Sequence, residues 1–207
     1  MAKNMGIWKG FLRGTVAIYA RLWYHKKRLD KEGADVEYND IYDKDRNLTG
    51  RVHVRGTRWN PGEYGLVVCV WVYDGNGKLL LTRRAKEKSF PGTWENSGGA
   101  AKAGETSRQA IARELFEETG IRASEEEFEL LESVRDGNIH FDHYCIQRDT
   151  PLSEIVLLPG ETDDVQWATF QRVRELIAEK KMCRIIARQF NRQEKQLLSK
   201  QNIQKVL

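Results

Sequence analysis

The arrangement of apolar and polar positions divides the chain into a basic amphipathic start, a mixed α/β body and a basic C-terminal helix. Near the start, apolar residues recur at helical spacing with basic residues between them: Trp8, Leu12, Val16, Tyr19 and Trp23. This spacing predicts an amphipathic helix that packs on the body or on a partner, with binding to a membrane surface as the alternative. We therefore expect residues 1–38 to form a basic N-terminal extension.

Short apolar runs between turn residues predict the strands of the body. The run at 66–73 (LVVCVWVY) is continuously apolar and rich in β-branched residues, which is typical of a strand that helices cover on both faces. The sequence DGNG at 74–77 predicts a turn into a returning strand at 79–82. Further strands are expected at 41–43, 51–55, 128–134, 139–146 and 164–170, with Asn47 and Gly50 in the turn between the first two.

The helix expected at 106–119 has the clearest end signals in the chain. Thr106 and Gln109 have the spacing of a capping box, and Gly120 stands where a left-handed residue closes a helix. From residue 171 onward the pattern predicts a long basic helix with a break near Cys183. Strands on either side of a helix predict an α/β layered domain at 39–172, followed by a basic C-terminal helix at 173–207.

The composition favours a globular protein without a membrane-spanning segment or a disulfide framework. Hydrophobic residues make up 40% of the chain and charged residues 31%, as in an ordinary globular protein. No apolar run approaches the roughly 20 residues needed to cross a bilayer. The cysteines are odd in number and far apart, so we expect a reducing, cytoplasmic location and no disulfide framework.

The formal net charge of +4 hides an uneven distribution along the chain. Residues 1–28 carry a net charge of +7, residues 171–207 also carry +7, and the body between them therefore carries −10. An acidic body does not have the charge pattern of a nucleic-acid-binding domain, but it suits a site that concentrates metal cations. Contact of the basic ends with nucleic acid or a membrane surface has no support in the sequence, and a homodimer stays open.

The helix at 106–119 carries the candidate chemistry. On a helical wheel, Glu114, Glu117 and Glu118 fall within one arc of about 100°. Ala112, Leu115 and Phe116 fall on the other side, which we expect to face the core. Like charges at these spacings are unfavourable by about 0.2–0.5 kcal/mol per pair. A divalent cation with oxygen ligands would offset that repulsion, and Mg²⁺ commonly bridges carboxylates to substrate phosphates. The alternative from the helix alone is a solvated acidic face.

The loop before the helix supplies further candidate groups. The glycines Gly98 and Gly99 let the backbone approach a ligand closely, so a carbonyl there could complete a metal shell. Arg113 adjoins the carboxylates, and a planar guanidinium can hold a carboxylate through two parallel hydrogen bonds. Glu105, at the end of the loop, is its expected partner.

This stretch resembles the signature of the Nudix hydrolase family, which also includes MutT-like proteins. The matching positions are Gly99, Glu105, Arg113-Glu114, Leu115, Glu117-Glu118, Gly120 and Ile121, at the family's spacing. The resemblance implies an α/β/α sandwich with a mixed β-sheet, in which the signature forms a loop-helix-loop and the basic helices flank the domain.

The resemblance also implies the roles of residues. It assigns Mg²⁺, or alternatively Mn²⁺, to Glu114, Glu117 and Glu118, joined by the carbonyl of Gly98. Arg113 would orient the carboxylates, and one glutamate of the set, or one from a later loop, would serve as the base. Glu117 is our candidate from the set. Glu161 is our candidate from a later loop, with an exposed loop acid as the alternative interpretation. Gly99, Glu105 and Gly120 would have structural roles.

A wider resemblance, over about residues 39–172, is to the Nudix subgroup related to isopentenyl-diphosphate isomerase. Those isomerases use a cysteine and histidines that are missing here, because the loop at 94–101 (WENSGGAA) and the segment at 63–65 (EYG) contain neither. We therefore expect Mg²⁺-dependent hydrolysis of a diphosphate linkage in a nucleoside-diphosphate-linked or related small molecule. The alternatives are isomerase-like activity and a non-catalytic nucleotide-sensing module.

Other residues have two interpretations each. Arg83 and Arg84 could hold substrate phosphates or be surface charges of an edge strand. The aromatic residues Trp59, Phe90 and Trp94 could stack on a base or pack in the core. His140 and His143 are three apart in a strand, so they should lie on opposite faces and not form a zinc site.

Overall fold

The computed structural model describes residues 36–204, with side chains described for residues 36–200. Its strands, in chain order, are β1 (Tyr38–Tyr42), β2 (Leu48–Val54), β3 (Gly65–Tyr73), β4 (Lys78–Arg84), β5 (Trp94–Glu95), β6 (Ser97–Ala100), β7 (Glu129–Asp136), β8 (Ile139–Gln147) and β9 (Thr162–Thr169). Its helices are α1 (Ser107–Thr119), α2 (Phe170–Ala178) and α3 (Arg184–Gln204), with short 3₁₀ turns at Glu125–Glu127 and Leu152–Glu154. The amphipathic helix expected near the start lies outside the described residues.

The main sheet is mixed. Its strand order is β5-β4-β3-β8-β7, with β6 paired to β3 and β9 paired to β4. The β3–β8 pair is parallel, and the other pairs are antiparallel. β1 and β2 form a separate antiparallel hairpin, which joins the body through reciprocal backbone hydrogen bonds between Tyr42 and Tyr64 at 2.8 and 3.0 Å.

Helices cover both faces of this sheet. On one face, Val68 and Val70 of β3 pack in a buried cluster with Ile111 and Leu115 of α1. On the other face, Trp71 packs with residues of α2 and α3 in a second cluster. Because side chains alternate along a strand, the apolar run of β3 is buried on both faces. The expected α/β/α sandwich with a mixed sheet is confirmed.

The ends of α1 have the expected geometry. Thr106 accepts a hydrogen bond from the backbone N–H of Gln109, whose side chain accepts from the backbone N–H of Thr106. Gly120 has a φ of 75° and donates its N–H to the carbonyl of Phe116. The wheel prediction was wrong for Phe116, which is only partly buried and lies under the Arg122 guanidinium at 4.1 Å. Glu114 is buried instead.

The expected break in the C-terminal helical region is confirmed. α2 ends at Ala178, and α3 begins at Arg184. Between them, the backbone N–H of Cys183 donates to the carbonyl of Trp94, so the chain pairs with β5 where a continuous helix would have prevented it. The expected turn at Asn47 and Gly50 is shorter than predicted, because Gly50 lies within β2.

The basic C-terminal helix α3 lies on the sheet. Phe190 and Leu197 are buried in the same cluster as Trp71, and the Trp71 indole N–H donates to the Gln193 side chain at 2.8 Å. Within the described part of the chain, no helix is both long and apolar enough to cross a membrane. The three-part division of the chain at residues 38 and 172 remains a prediction.

Candidate active site

The two glycines of β6 lie close to neighbouring groups. β6 pairs with β3 so that Gly98 stands opposite Cys69. A Cβ on Gly98 would overlap the carbonyl oxygen of Val68, and a Cβ on Gly99 would overlap the carboxyl group of Glu114. The two glycines therefore allow β6 to pair with β3 and to approach the acidic side of α1.

Arg113 is the centre of the carboxylate cluster. Its guanidinium donates two hydrogen bonds to Glu105, from Nε at 2.6 Å and from Nη2 at 2.9 Å. It also donates to Glu114 at 2.8 Å and to Glu117 at 3.3 Å. A further hydrogen bond, at 3.2 Å, reaches the carbonyl oxygen of Ala100. One arginine thus orients three glutamates and the loop beside them.

Glu105 is held in its charged form. Burial by itself raises the pKa of this carboxyl group, but the hydrogen bonds from Arg113 and from the backbone N–H of Lys102 lower it below its ordinary value. Because Glu105 accepts both prongs of the guanidinium, it fixes the direction of Arg113.

Glu114 and Glu118 are in the opposite situation. Burial raises the pKa of Glu114, and the charge of Glu117 adds to this effect. Burial, with the nearby charges of Glu114 and Glu95, raises the pKa of Glu118 well above its ordinary value. The Glu118 carboxylate accepts a hydrogen bond from the backbone N–H of Gly98 at 3.2 Å. Negative charge in this cluster is therefore only partly compensated.

The donor set fits a hard divalent cation. Three carboxylates, Glu105, Glu114 and Glu117, share the one guanidinium of Arg113. The buried carboxyl group of Glu118 adds a fourth acid near Glu114. The cluster therefore has an excess of acidic oxygen atoms of the kind that Mg²⁺ and Mn²⁺ prefer. The side chains of Glu114 and Glu117 keep 11% and 17% of their surface exposed, so the cluster is mostly buried but still touches solvent.

The metal cage itself is not preformed. Among the described residues, no three His, Cys, Asp or Glu side chains converge closely enough to hold a metal ion. Glu105, Glu114 and Glu117 are instead paired with the guanidinium of Arg113.

A second charged cluster, which the sequence analysis missed, adjoins the first. Glu95 accepts two hydrogen bonds from Arg84, at 2.6 and 2.7 Å. Burial raises the pKa of Glu95, and the charge of Glu161 raises it further. Glu161 itself forms an ion pair with Lys88. The sequence signal was weak, since a single acid after Trp94 has no distinctive spacing.

Arg83 and Arg84, the candidate phosphate ligands, are both engaged in ion pairs. Arg84 also donates to the carbonyl oxygen of Ser89 at 2.5 Å. Arg83 pairs with Asp163 at 2.7 Å, and its guanidinium lies 5.7 Å from the ring centroid of Trp94. None of these bonds connects Arg83 or Arg84 to the glutamates around Arg113.

The two histidines of β8 point to different sides, as expected. The His140 ring is hydrogen-bonded to the carbonyl oxygen of Asp43 at 2.9 Å. The His143 ring is fully buried beside Phe141, and neither of its nitrogens has a hydrogen-bond partner. They do not form a joint metal site.

Comparison with known proteins is consistent with this geometry. A family model described as the NUDIX domain matches residues 63–189. An uncharacterised Nudix hydrolase of Listeria innocua is 35% identical over 144 residues, which cover 66% of this chain and 82% of that protein. An isopentenyl-diphosphate delta-isomerase of an Enterobacter species is 32% identical over 104 residues, which cover 47% of this chain and 57% of the isomerase.

Solved structures share the fold at lower sequence identity. A crystal structure from Deinococcus radiodurans superposes with a TM-score of 0.62 at 20% identity, and covers 75% of this chain and 98% of that one. A bifunctional NMN adenylyltransferase/ADP-ribose pyrophosphatase from Francisella tularensis, complexed with AMP and a manganese ion, superposes with a TM-score of 0.52 at 21% identity. That match covers 88% of this chain and 46% of the bifunctional protein.

The fold and the carboxylate helix define an α/β/α domain of the class that hydrolyses pyrophosphate bonds. The family match over residues 63–189 makes the assignment definite: the chain belongs to the Nudix hydrolase family. The family resemblance expected from the sequence is thereby confirmed.

Proposed function

We propose that the protein is a Mg²⁺-dependent diphosphohydrolase that cleaves a diphosphate linkage in a nucleoside-diphosphate-linked or related small molecule. The observation that carries this proposal is the grouping of Glu114, Glu117 and Glu118 on one side of α1, where Arg113 pairs with the first two and burial raises the pKa of the third. Mn²⁺ is the alternative ion, because the same oxygen donors suit it.

In this proposal, Glu114, Glu117 and Glu118 hold the metal, together with the carbonyl oxygen of Gly98. The bound metal supplies polarisation of a phosphoryl oxygen and a lower pKa for the attacking water. Arg113 keeps the carboxylates oriented through its bonds to Glu105. The general base is assigned to Glu117, with Glu161 as the second candidate.

Isomerase chemistry has weaker support. Proton transfer at carbon needs a titratable acid and base on opposite faces of the substrate. Residues 94–101 include neither cysteine nor histidine, and a side chain on residue 99 would displace the Glu114 carboxyl group. Incubation with isopentenyl diphosphate and Mg²⁺ separates the two reactions, because only an isomerase forms the dimethylallyl product.

A substrate panel tests the proposal. The full chain is incubated with nucleoside triphosphates, nucleotide sugars, dinucleotides and coenzymes, each with Mg²⁺, with Mn²⁺ and with a chelator. We expect phosphate-containing products from at least one class, and only with metal. Reaction in ¹⁸O-labelled water then identifies the phosphorus that is attacked. Tight nucleotide binding without product formation under any metal condition would instead identify a sensor module.

We also propose a cytoplasmic location for the enzyme. All three cysteines are free and buried, and a reducing compartment is where such thiols persist. The substrate is its only proposed partner.

A further inference from the structure

All three nitrogens of the Arg84 guanidinium donate hydrogen bonds within the protein. Nη1 donates to both carboxylate oxygens of Glu95, at 2.6 and 2.7 Å. Nε donates to the carbonyl oxygen of Ser89 at 2.5 Å, and Nη2 donates to the Ser89 hydroxyl at 3.0 Å. One side chain therefore joins the loop that follows β4 to strand β5.

The backbone of Arg84 closes the same loop. Its N–H donates to the carbonyl oxygen of Thr93 at 3.0 Å, and its carbonyl oxygen accepts from the N–H of Gly92 at 2.9 Å. The loop at 85–92 thus begins and ends on Arg84. Because the loop is closed in this way, Ser89 is a fixed anchor for the guanidinium.

The ion pair between Arg84 and Glu95 is mostly buried. Their side chains keep 15% and 12% of their surface exposed. Charges that are withdrawn from water to this extent lose hydration, and their mutual attraction only partly offsets that loss. The pair therefore adds little to stability, and the direction that it gives Glu95 explains it better.

Glu95 lies a short distance along the chain from the carboxylate helix. Gly98 follows Glu95 by three residues, which an extended chain spans in about 10 Å. The N–H of Gly98 donates to the Glu118 carboxylate at 3.2 Å, and the carbonyl oxygen of Gly98 is a proposed metal ligand. A displacement of β5 would therefore be passed on to Gly98 and to its contact with Glu118.

A phosphate ligand is the competing role for Arg84. A guanidinium recognises a phosphate through two parallel N–H groups. In Arg84, every nitrogen that could supply such a pair already donates to Glu95 or Ser89. Binding of a phosphate would require Arg84 to release one of these two partners.

We propose that Arg84 is a positioning residue for the metal site. It holds Glu95, and with it the backbone of β5 and β6, where the carbonyl oxygen of Gly98 can join the metal shell. It acts through Glu95 and does not touch the substrate phosphates. This inference rests on the proposed diphosphohydrolase function, which assigns a metal ion to the carboxylate helix.

Mn²⁺ binding to the full chain without substrate tests the inference, because a phosphate ligand has no part in that measurement. Electron paramagnetic resonance follows the free ion. Arg84→Lys keeps the charge but loses the two-pronged bond, and Glu95→Asp keeps the charge but shortens the side chain. We expect each variant to bind Mn²⁺ about 10- to 100-fold more weakly than the wild type, as loss of a residue that orients metal ligands does.

The double variant shows whether the two residues act as one unit. If Arg84 acts through Glu95, the combined change should weaken Mn²⁺ binding no further than the more damaging single change. Two independent effects would add instead. Arg172→Lys and Glu175→Asp are the matched controls, since these residues form an exposed ion pair within α2, and neither should change Mn²⁺ binding.

Thermal melting verifies that each variant is folded. If Arg84→Lys does not fold, Glu95→Asp carries the test alone. Wild-type Mn²⁺ binding by Glu95→Asp, or additive losses in the double variant, overturns the inference. So does an absence of Mn²⁺ binding by the wild type.

Turnover of a substrate found in the panel gives a second readout. A misplaced metal ligand should make Arg84→Lys slow at limiting Mg²⁺, and a higher Mg²⁺ concentration should restore its rate. Loss of a phosphate contact would instead raise KM at saturating Mg²⁺. A raised KM that Mg²⁺ does not relieve assigns Arg84 to the substrate and overturns the inference.

The outcome is separable from that of the proposed function. If the wild-type chain hydrolyses a diphosphate substrate but the variants keep wild-type Mn²⁺ binding, only the role of Arg84 is wrong. If Mn²⁺ binding weakens as expected but nothing in the panel is hydrolysed, the diphosphohydrolase proposal fails and the positioning role stands.

Discussion

Gly99 lies directly against the carboxyl group of Glu114, so closely that a methyl group on residue 99 would occupy the same space. This relationship links the first glycine of the family signature to its first helical glutamate. The glycine is needed here for space, because a side chain at residue 99 would displace Glu114 from Arg113.

Replacement of this glycine should damage activity more than stability. We expect Gly99→Ala to lower kcat by roughly 100-fold, because a shift of about 1 Å at a catalytic group can have that effect. The measurement is turnover of the substrate found in the panel, beside a melting curve. Gly75→Ala is the control, because a Cβ on residue 75 would have its nearest neighbour at an ordinary 3.4 Å. Equal turnover in the two variants would show that the position of Glu114 is unimportant.

The second prediction concerns Glu117, the proposed metal ligand and base. Glu117→Gln keeps the size of the side chain but removes its charge, so we expect kcat to fall by about 100-fold or more. The melting temperature should change little, because Glu117 is partly exposed and its hydrogen bond to Arg113 is long, at 3.3 Å. Glu154→Gln, at an exposed position, is the matched control. Unchanged turnover of the Glu117 variant would reject its assignment.

The third prediction concerns a buried acid outside the site. Asp142 accepts hydrogen bonds from Arg46, Ser107 and Ser133, and only 2% of its side chain is exposed. These bonds, with the positive charge of Arg46, lower its pKa despite the opposing effect of burial. The network ties the β1–β2 turn and the start of α1 to β8.

Loss of this acceptor should destabilise the fold. We expect Asp142→Ala to lower the free energy of unfolding by about 3–5 kcal/mol, as loss of one partner of a buried charge pair does. Denaturant unfolding measures the change. Asp45→Ala removes an exposed pair with Lys44 and should cost less than about 1 kcal/mol. A similar cost for both variants would contradict the structural role of Asp142.

The fourth prediction is a pH dependence caused by His143. Burial lowers the pKa of this imidazole to about 4, with Arg192 adding to the effect and the charges of Glu132 and Asp142 opposing it. In the unfolded chain its pKa is near 6.5. As the pH falls below about 6.5, the unfolded chain therefore takes up a proton that the folded chain refuses until about pH 4.

The contribution of His143 to stability is complete above pH 6.5 and decreases as the pH falls toward 4. Between pH 7 and pH 5 we expect the wild type to lose about 2 kcal/mol more unfolding free energy than His143→Leu. Urea unfolding of both proteins at each pH measures this difference. Equal losses in the two proteins would show that His143 is not protonated selectively in the unfolded chain.

The sequence predicted correctly those features that depend only on residues close together in the chain. The capping box at Thr106, the left-handed Gly120 and the apolar run of β3 all follow from the chemistry of neighbouring residues, and the structure has each of them. The carboxylate helix was found for the same reason, since the spacing of Glu114, Glu117 and Glu118 along one helix decides that they lie close together.

The sequence could not predict contacts between distant segments. Nothing near Glu95 indicates that Arg84 holds it, and nothing near Phe116 indicates that Arg122 covers its ring. The helical wheel also did not predict the burial of Glu114. A wheel places side chains around one helix and does not include the strand that packs beside it.

The sequence by itself determined the family, the layered fold and the identity of the acidic groups, because these depend on residue type and on spacing within single elements. Tertiary structure alone decided how those groups are used. Packing of β6 against β3 brings Gly99 onto Glu114, and one guanidinium gathers glutamates from a loop and a helix. Backbone hydrogen bonds between Tyr42 and Tyr64 join the β1–β2 hairpin to the body. These relationships join segments far apart in the chain, so only the folded backbone sets their distances.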